Sequence, residues 1–74
     1  MAQYNNAAVV QTFTSNDAQN AWANIAGAGW LKIKTGATDG VTNLFIMFNA
    51  AKANGRTVSV TTDASNLITI AYMN

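Results

Sequence analysis

Along most of this chain apolar and polar residues alternate with a period of two, and one central segment breaks the rhythm. From Val41 to Gly55 the large apolar residues return every three or four positions instead. At about 100° per residue, Val41, Leu44, Phe45, Phe48 and Ala51 form a stripe wide enough to cover a small sheet. Thr38 or Asp39 can accept hydrogen bonds from the free amides of the first turn, and the Asp39 charge suits the dipole there. Asn54-Gly55 supplies a left-handed stop, with Lys52 in the last turn. The spacing predicts a helix over about 39–54.

The alternating stretches predict strands. Ala8 to Thr14 is β-rich, with Val9, Gln11 and Phe13 on one face and Val10, Thr12 and Thr14 on the other. Ser15-Asn16-Asp17 reads as a turn. Asn20 to Ile25 fits a helical turn or a short strand. The corner Ala26-Gly27-Ala28-Gly29, which can join two antiparallel strands, favours the strand; a helix over Asp17 to Ile25 is the alternative. Trp30 to Thr35 places Leu31 and Ile33 inward and Lys32 and Lys34 outward. Arg56 to Thr62 puts Val58 and Val60 on the core face, and Asp63 to Asn66 is a turn. Leu67 to Met73 closes the chain, with Ile68, Ile70 and Tyr72 on one face and Leu67, Thr69, Ala71 and Met73 on the other. No repeat or linker divides residues 1–74, so one domain is expected. Its class is α+β, mostly β: three strands, one helix, two strands. That order is the order of the OB-fold, a small five-stranded barrel plugged by its helix.

The helix is apolar on a second side as well. Ile46, Met47, Ala50 and Ala53 lie mostly outside the core stripe, and a chain of 74 residues has little mass with which to cover them. Small domains usually add a disulfide, a metal or a partner subunit. There is no Cys and no His, which excludes disulfides and ordinary zinc, haem and iron–sulfur sites, and no cofactor is expected. A second copy of the chain is the economical cover. Ile46, Met47 and Ala50, with Met73 from the apolar second face of the last strand, are the expected contacts of a homo-oligomer.

Charge is sparse, 9% of residues against about a quarter in a typical domain. Ten Asn, nine Thr and fourteen Ala take its place, a surface of neutral amides and hydroxyls that suits subunit interfaces or hydroxyl-rich ligands such as glycans. A net charge of +1 argues against binding nucleic acid through phosphates. No apolar run approaches the length of a membrane span, so membrane insertion is not expected. Met1-Ala2-Gln3-Tyr4 leads directly into polar residues without the pattern of a signal peptide. The residues fit equally a cytosolic chain or a secreted one whose leader has been removed.

For catalysis the chain offers Asp17, Asp39 and Asp63, each in a predicted turn or cap, where Asp has an ordinary structural use. Without His or Cys, a Ser or Thr nucleophile would need Lys or a free N-terminus as its base, and no spacing suggests one. An enzyme is not expected. A binding site has better material. Trp22 and Asn24 alternate onto one strand face, and Trp30 and Lys32 lie across the hairpin on the matching face. Rings near amides are what a sugar site uses, although two Trp flanking a hairpin also commonly fill a core or an interface.

The segment Trp30-Leu31-Lys32-Ile33, the run from Asn43-Leu44-Phe45 through Ala50-Ala51-Lys52-Ala53-Asn54-Gly55-Arg56-Thr57-Val58-Ser59-Val60, and Leu67-Ile68-Thr69-Ile70-Ala71-Tyr72 together resemble the OB-fold B subunits of bacterial AB toxins. The likeness is to the subtilase-cytotoxin type and covers Trp30 to Tyr72. It implies a pentameric ring with the helices around a central pore, a secreted protein, and binding of cell-surface glycans. The chain departs from many such relatives in lacking a Cys pair, and its loops match none of their glycan contacts. The expected function is a non-enzymatic binding module in a ring-like homo-oligomer. The alternatives are a structural oligomer component, such as a phage or particle protein, and a single-stranded nucleic-acid binder using Trp22, Trp30, Lys32 and Lys34.

Overall fold

The computed structural model describes residues 2–16, 20–36 and 40–74. Five strands form one antiparallel sheet: β1 (Ala2–Thr14), β2 (Ala21–Ile25), β3 (Gly29–Lys32), β4 (Thr57–Thr62) and β5 (Ile68–Met73). Helix α1 (Gly40–Asn54) lies between β3 and β4 in sequence. The spatial order is β3-β2-β1-β4-β5. The two edge strands, β3 and β5, run on into a single parallel bridge between Ile33 and Ile68, where the Lys34 amide donates to the Ile68 carbonyl at 2.9 Å.

β1 is almost twice as long as the alternation suggests. Residues 2–7 carry two Asn and two Ala, poor strand formers that hide the pattern, and pairing with β4 draws them into the sheet. The strand serves both halves of the sheet because it bends. Tyr4 faces Val60 and Ala7 faces Val58, so β1 fits one extra residue around Asn5-Asn6, and Asn6 takes a φ of 51° there. A second extra residue falls at Val10, since Val9 pairs with Ile25 and Gln11 with the adjacent Asn24. The Val10 bulge corrects the expected faces. Val9 is buried, but beyond the bulge Gln11 and Phe13 cross to the outer surface, while Thr12 turns inward opposite Ala23.

β5 needs a similar correction. Thr62 pairs with Ile68 and Thr61 with Ile70, which leaves Thr69 as the extra residue. Ile68 is therefore fully buried, whereas Ile70 and Tyr72 turn outward beside Thr61 and Ser59, and Ala71 and Met73 take the inner side opposite Val60 and Val58. A strict period of two cannot express either bulge.

The segment 21–25 is a strand, which removes the helical alternative there; Asp17 lies outside the described residues. Gly27 and Gly29, with φ of 87° and 82°, turn the corner into β3. The expected N-cap residues of α1, Thr38 and Asp39, also lie outside the described residues. Its C-terminal stop is as expected. Gly55 has a φ of 65°, its amide donates to the Lys52 carbonyl at 3.4 Å, and the Arg56 amide reaches back to Ala51 at 2.9 Å. These are the paired bonds of a Schellman ending.

The helix lays its predicted stripe on the inner face of the sheet. Val41, Phe48 and Ala51 are buried, and Leu44 and Phe45 pack half-buried against the same cluster. Phe48 is the largest fully buried side chain, in a core where Ala21, Ala23 and Ala51 let the helix approach closely. Its burial contributes about 3 kcal/mol by area. A hydrogen bond from the Thr12 hydroxyl to Asn49 Oδ1, 2.6 Å, joins β1 to the helix. The helix's second side is uncovered: Ile46 is 61% exposed, and Met47 and Ala50 are half-buried. Among the described residues no helix is long and apolar enough to cross a membrane.

Candidate functional site

The outer surface of β1, β2 and β3 gathers the side chains that can hold a ligand. Because opposite residues share a side of the sheet, cross-strand pairing orders them in two rows. Phe13, Trp22 and Lys32 form one row; Gln11, Asn24 and Trp30 form the next. The four residues expected to bind ligand, Trp22, Asn24, Trp30 and Lys32, are therefore neighbours on one face. Phe13 and Gln11 join them, brought there by the Val10 bulge. No alternation in the sequence signals this, since strict alternation keeps Gln11 and Phe13 on the face of Val9.

Phe13, Trp22 and Trp30 line an open cleft of about 390 Å³. Phe13 and Trp30 are 49% and 45% exposed, which is much for rings of this size. Trp22 is held in place. Its indole Nε1–H donates to Asn20 Oδ1 at 3.0 Å, and the Asn20 amide donates in turn to Ser15 Oγ at 2.9 Å. The Thr14 hydroxyl closes the arrangement by donating to the Asn20 carbonyl at 2.9 Å. Asn20 thus ties the end of β1 to the start of β2 and fixes the ring that fills the middle of the cleft. The Lys32 ammonium stands 6.0 Å from the centre of the Trp22 ring, at the outer limit of a cation–π contact.

The other cations are engaged elsewhere or lie outside this face. Lys34 Nζ is 3.1 Å from Asp63 Oδ2. Arg56 Nε donates to the Asn74 carbonyl at 2.8 Å, and Lys52 belongs to the last turn of α1. Asp63 organises its turn by accepting from the Leu67 amide at 3.0 Å and the Ser65 amide at 2.9 Å. The Leu67 amide foremost, aided by Lys34, holds its carboxyl below the ordinary aspartate range. A second cleft of about 330 Å³ is lined by Lys34, Leu44, Ile68, two threonines and two glycines, without an aromatic or amide side chain among its described residues.

The expected oligomer contacts are distributed. Ile46, Met47 and Ala50 occupy one side of α1, whereas Met73 stands at the end of β5 opposite Val58 and is 39% exposed. Ile70 and Tyr72, 49% and 63% exposed, add apolar surface on the outer side of β5 that the alternation had placed with Ile68. Compared with protein-family models, with curated proteins and with solved structures, the chain matches none.

Proposed function

We propose that this chain is a non-enzymatic binding module that takes a neutral, hydroxyl-rich ligand, a glycan, on the outer face of β1, β2 and β3. The observation that carries the reading is the convergence of Phe13, Trp22 and Trp30 on one open cleft beside Gln11 and Asn24. Sugar rings stack their C–H faces on aromatic rings, and amides serve their hydroxyls as both donor and acceptor. A single cation on this face suits a neutral ligand better than a phosphate chain, whose affinity grows with the number of phosphates neutralised.

The module is an OB-type barrel in this reading. Support comes from the strand order, from the helix between β3 and β4, and from the parallel bridge Ile33–Ile68 that brings the two sheet edges together. It works as the protomer of a ring-like homo-oligomer of the toxin B-subunit kind, pentameric if that likeness extends to stoichiometry. The uncovered Ile46 and its neighbours on α1 support self-association, because among the described residues no charge on that side opposes the approach of a second copy.

Two measurements test the reading. Tryptophan fluorescence titrations across a series of glycans are expected to report saturable binding that Trp22→Ala weakens about thirtyfold. Light scattering over a range of concentrations is expected to show one defined assembly. Assembly without any glycan response would favour the structural-component alternative, and binding of oligonucleotides with a steep salt dependence would favour the nucleic-acid alternative.

A further inference from the structure

We infer that the ligand is a linear chain of equatorially linked pyranose units lying across β1, β2 and β3, with successive units on Phe13, Trp22 and Trp30. This rests on the glycan reading above and narrows its ligand class. The three rings come from three neighbouring strands. Phe13 is directly opposite Trp22, and Trp30, opposite Asn24, is diagonal to Trp22. Adjacent strands are about 4.8 Å apart, and diagonal pairs stand about 7–8 Å apart, so the rings extend over roughly 10 Å. One pyranose covers one ring. A chain covers all three only if its units stay in a flat ribbon. Equatorial linkages keep such a ribbon, with C–H groups on its faces and hydroxyls along its edges. Axial linkages turn successive units away from a flat row.

The surroundings agree with that ribbon. Gln11 and Asn24 share the row of Trp30 and stand next to Phe13 and Trp22, where edge hydroxyls would lie. Among the described residues Lys32 is the one cation of the face, with Lys34 held by Asp63, which fits a neutral chain. A proline-rich peptide presents carbonyl acceptors and asks an indole N–H to donate to them. The Trp22 N–H in the middle of the cleft is already given to Asn20, which leaves such a peptide the Trp30 indole alone among the described residues.

The experiment is a fluorescence and calorimetric titration with cello- and chito-oligosaccharides of one to six units, and with malto-oligosaccharides of equal length. Affinity is expected to rise roughly three- to tenfold with each unit up to the third and then level off. The α-linked series should bind more weakly at every length. Trp30→Ala, checked for fold by circular dichroism, should reduce the trisaccharide to the affinity of the disaccharide. Equal affinity for one and three units, or for the α-linked series, would overturn the chain inference and leave the glycan reading standing. Quenching by oligothymidylate or a proline-rich peptide, with no saccharide response at millimolar concentration, would overturn both.

Discussion

Two of the apolar surfaces that the described residues turn to solvent are built differently. On the outer side of β1, β2 and β3 each ring has polar company: Asn20 pins Trp22, Lys32 stands over it, and Gln11 and Asn24 border the cleft. On the second side of α1, Ile46 is exposed beside Met47 and Ala50. The first surface can orient a small ligand because it offers directional groups as well as area. The second offers area alone, which is what a packed subunit contact uses. Exposure of large apolar residues is thus two different statements in one chain, and the neighbours decide which.

The comparison can be broken most completely through the scaffold both surfaces share. Phe48→Ala removes the central side chain of the core and should cost about 3–5 kcal/mol, measured by urea denaturation. Both binding and assembly should then fail together. Ile46→Lys should separate them. It should weaken self-association by about a hundredfold, seen in sedimentation, with ligand affinity of the dissociated protein unchanged. Trp22→Ala should do the reverse, weakening ligand binding by about thirtyfold in calorimetry while the assembly sediments as before. Asn20→Ala sharpens the ligand side. It frees the indole without removing it, and should cost about 1 kcal/mol of stability together with a smaller loss of affinity.

The smallest effect is that of acid. Asp63 has a carboxyl pKa lowered in the folded state, mainly by the Leu67 amide. Its stabilising contribution is complete above the unfolded value of about 3.9 and is lost as pH falls through the lowered folded value. Thermal unfolding followed below pH 4 should show this loss, and Asp63→Asn should flatten it. Ligand binding at neutral pH should not respond to that variant.

What could be read from the residues was what repeats regularly. The stripe from Val41 to Ala51 and the stop at Gly55 name the helix, its buried side and its end, because each is a local property of consecutive residues. Val58 and Val60, or Leu31 and Ile33, are buried where alternation puts them. The failures cluster at bulges. Gln11, Phe13, Ile70 and Tyr72 all follow an extra residue whose presence depends on the partner strand, so their own spacing points to the wrong side. The four candidate residues Trp22, Asn24, Trp30 and Lys32 share one face, as their alternation suggests, because the β2–β3 hairpin pairs without a register shift. Residues 2–7 were invisible as a strand for another reason. Their Asn-rich composition opposes extension, and only the partner β4 overrides it.

The extra residue at Val10 sets the phase of everything after it in β1. Were Val10 instead paired in the ladder, every later residue would shift by one, turning Phe13 toward the Ala-lined interior and Thr12 out to water. One wall of the cleft and the anchor to Asn49 would vanish in a single step. The chemistry of this face is therefore carried by a count of residues as much as by their identity.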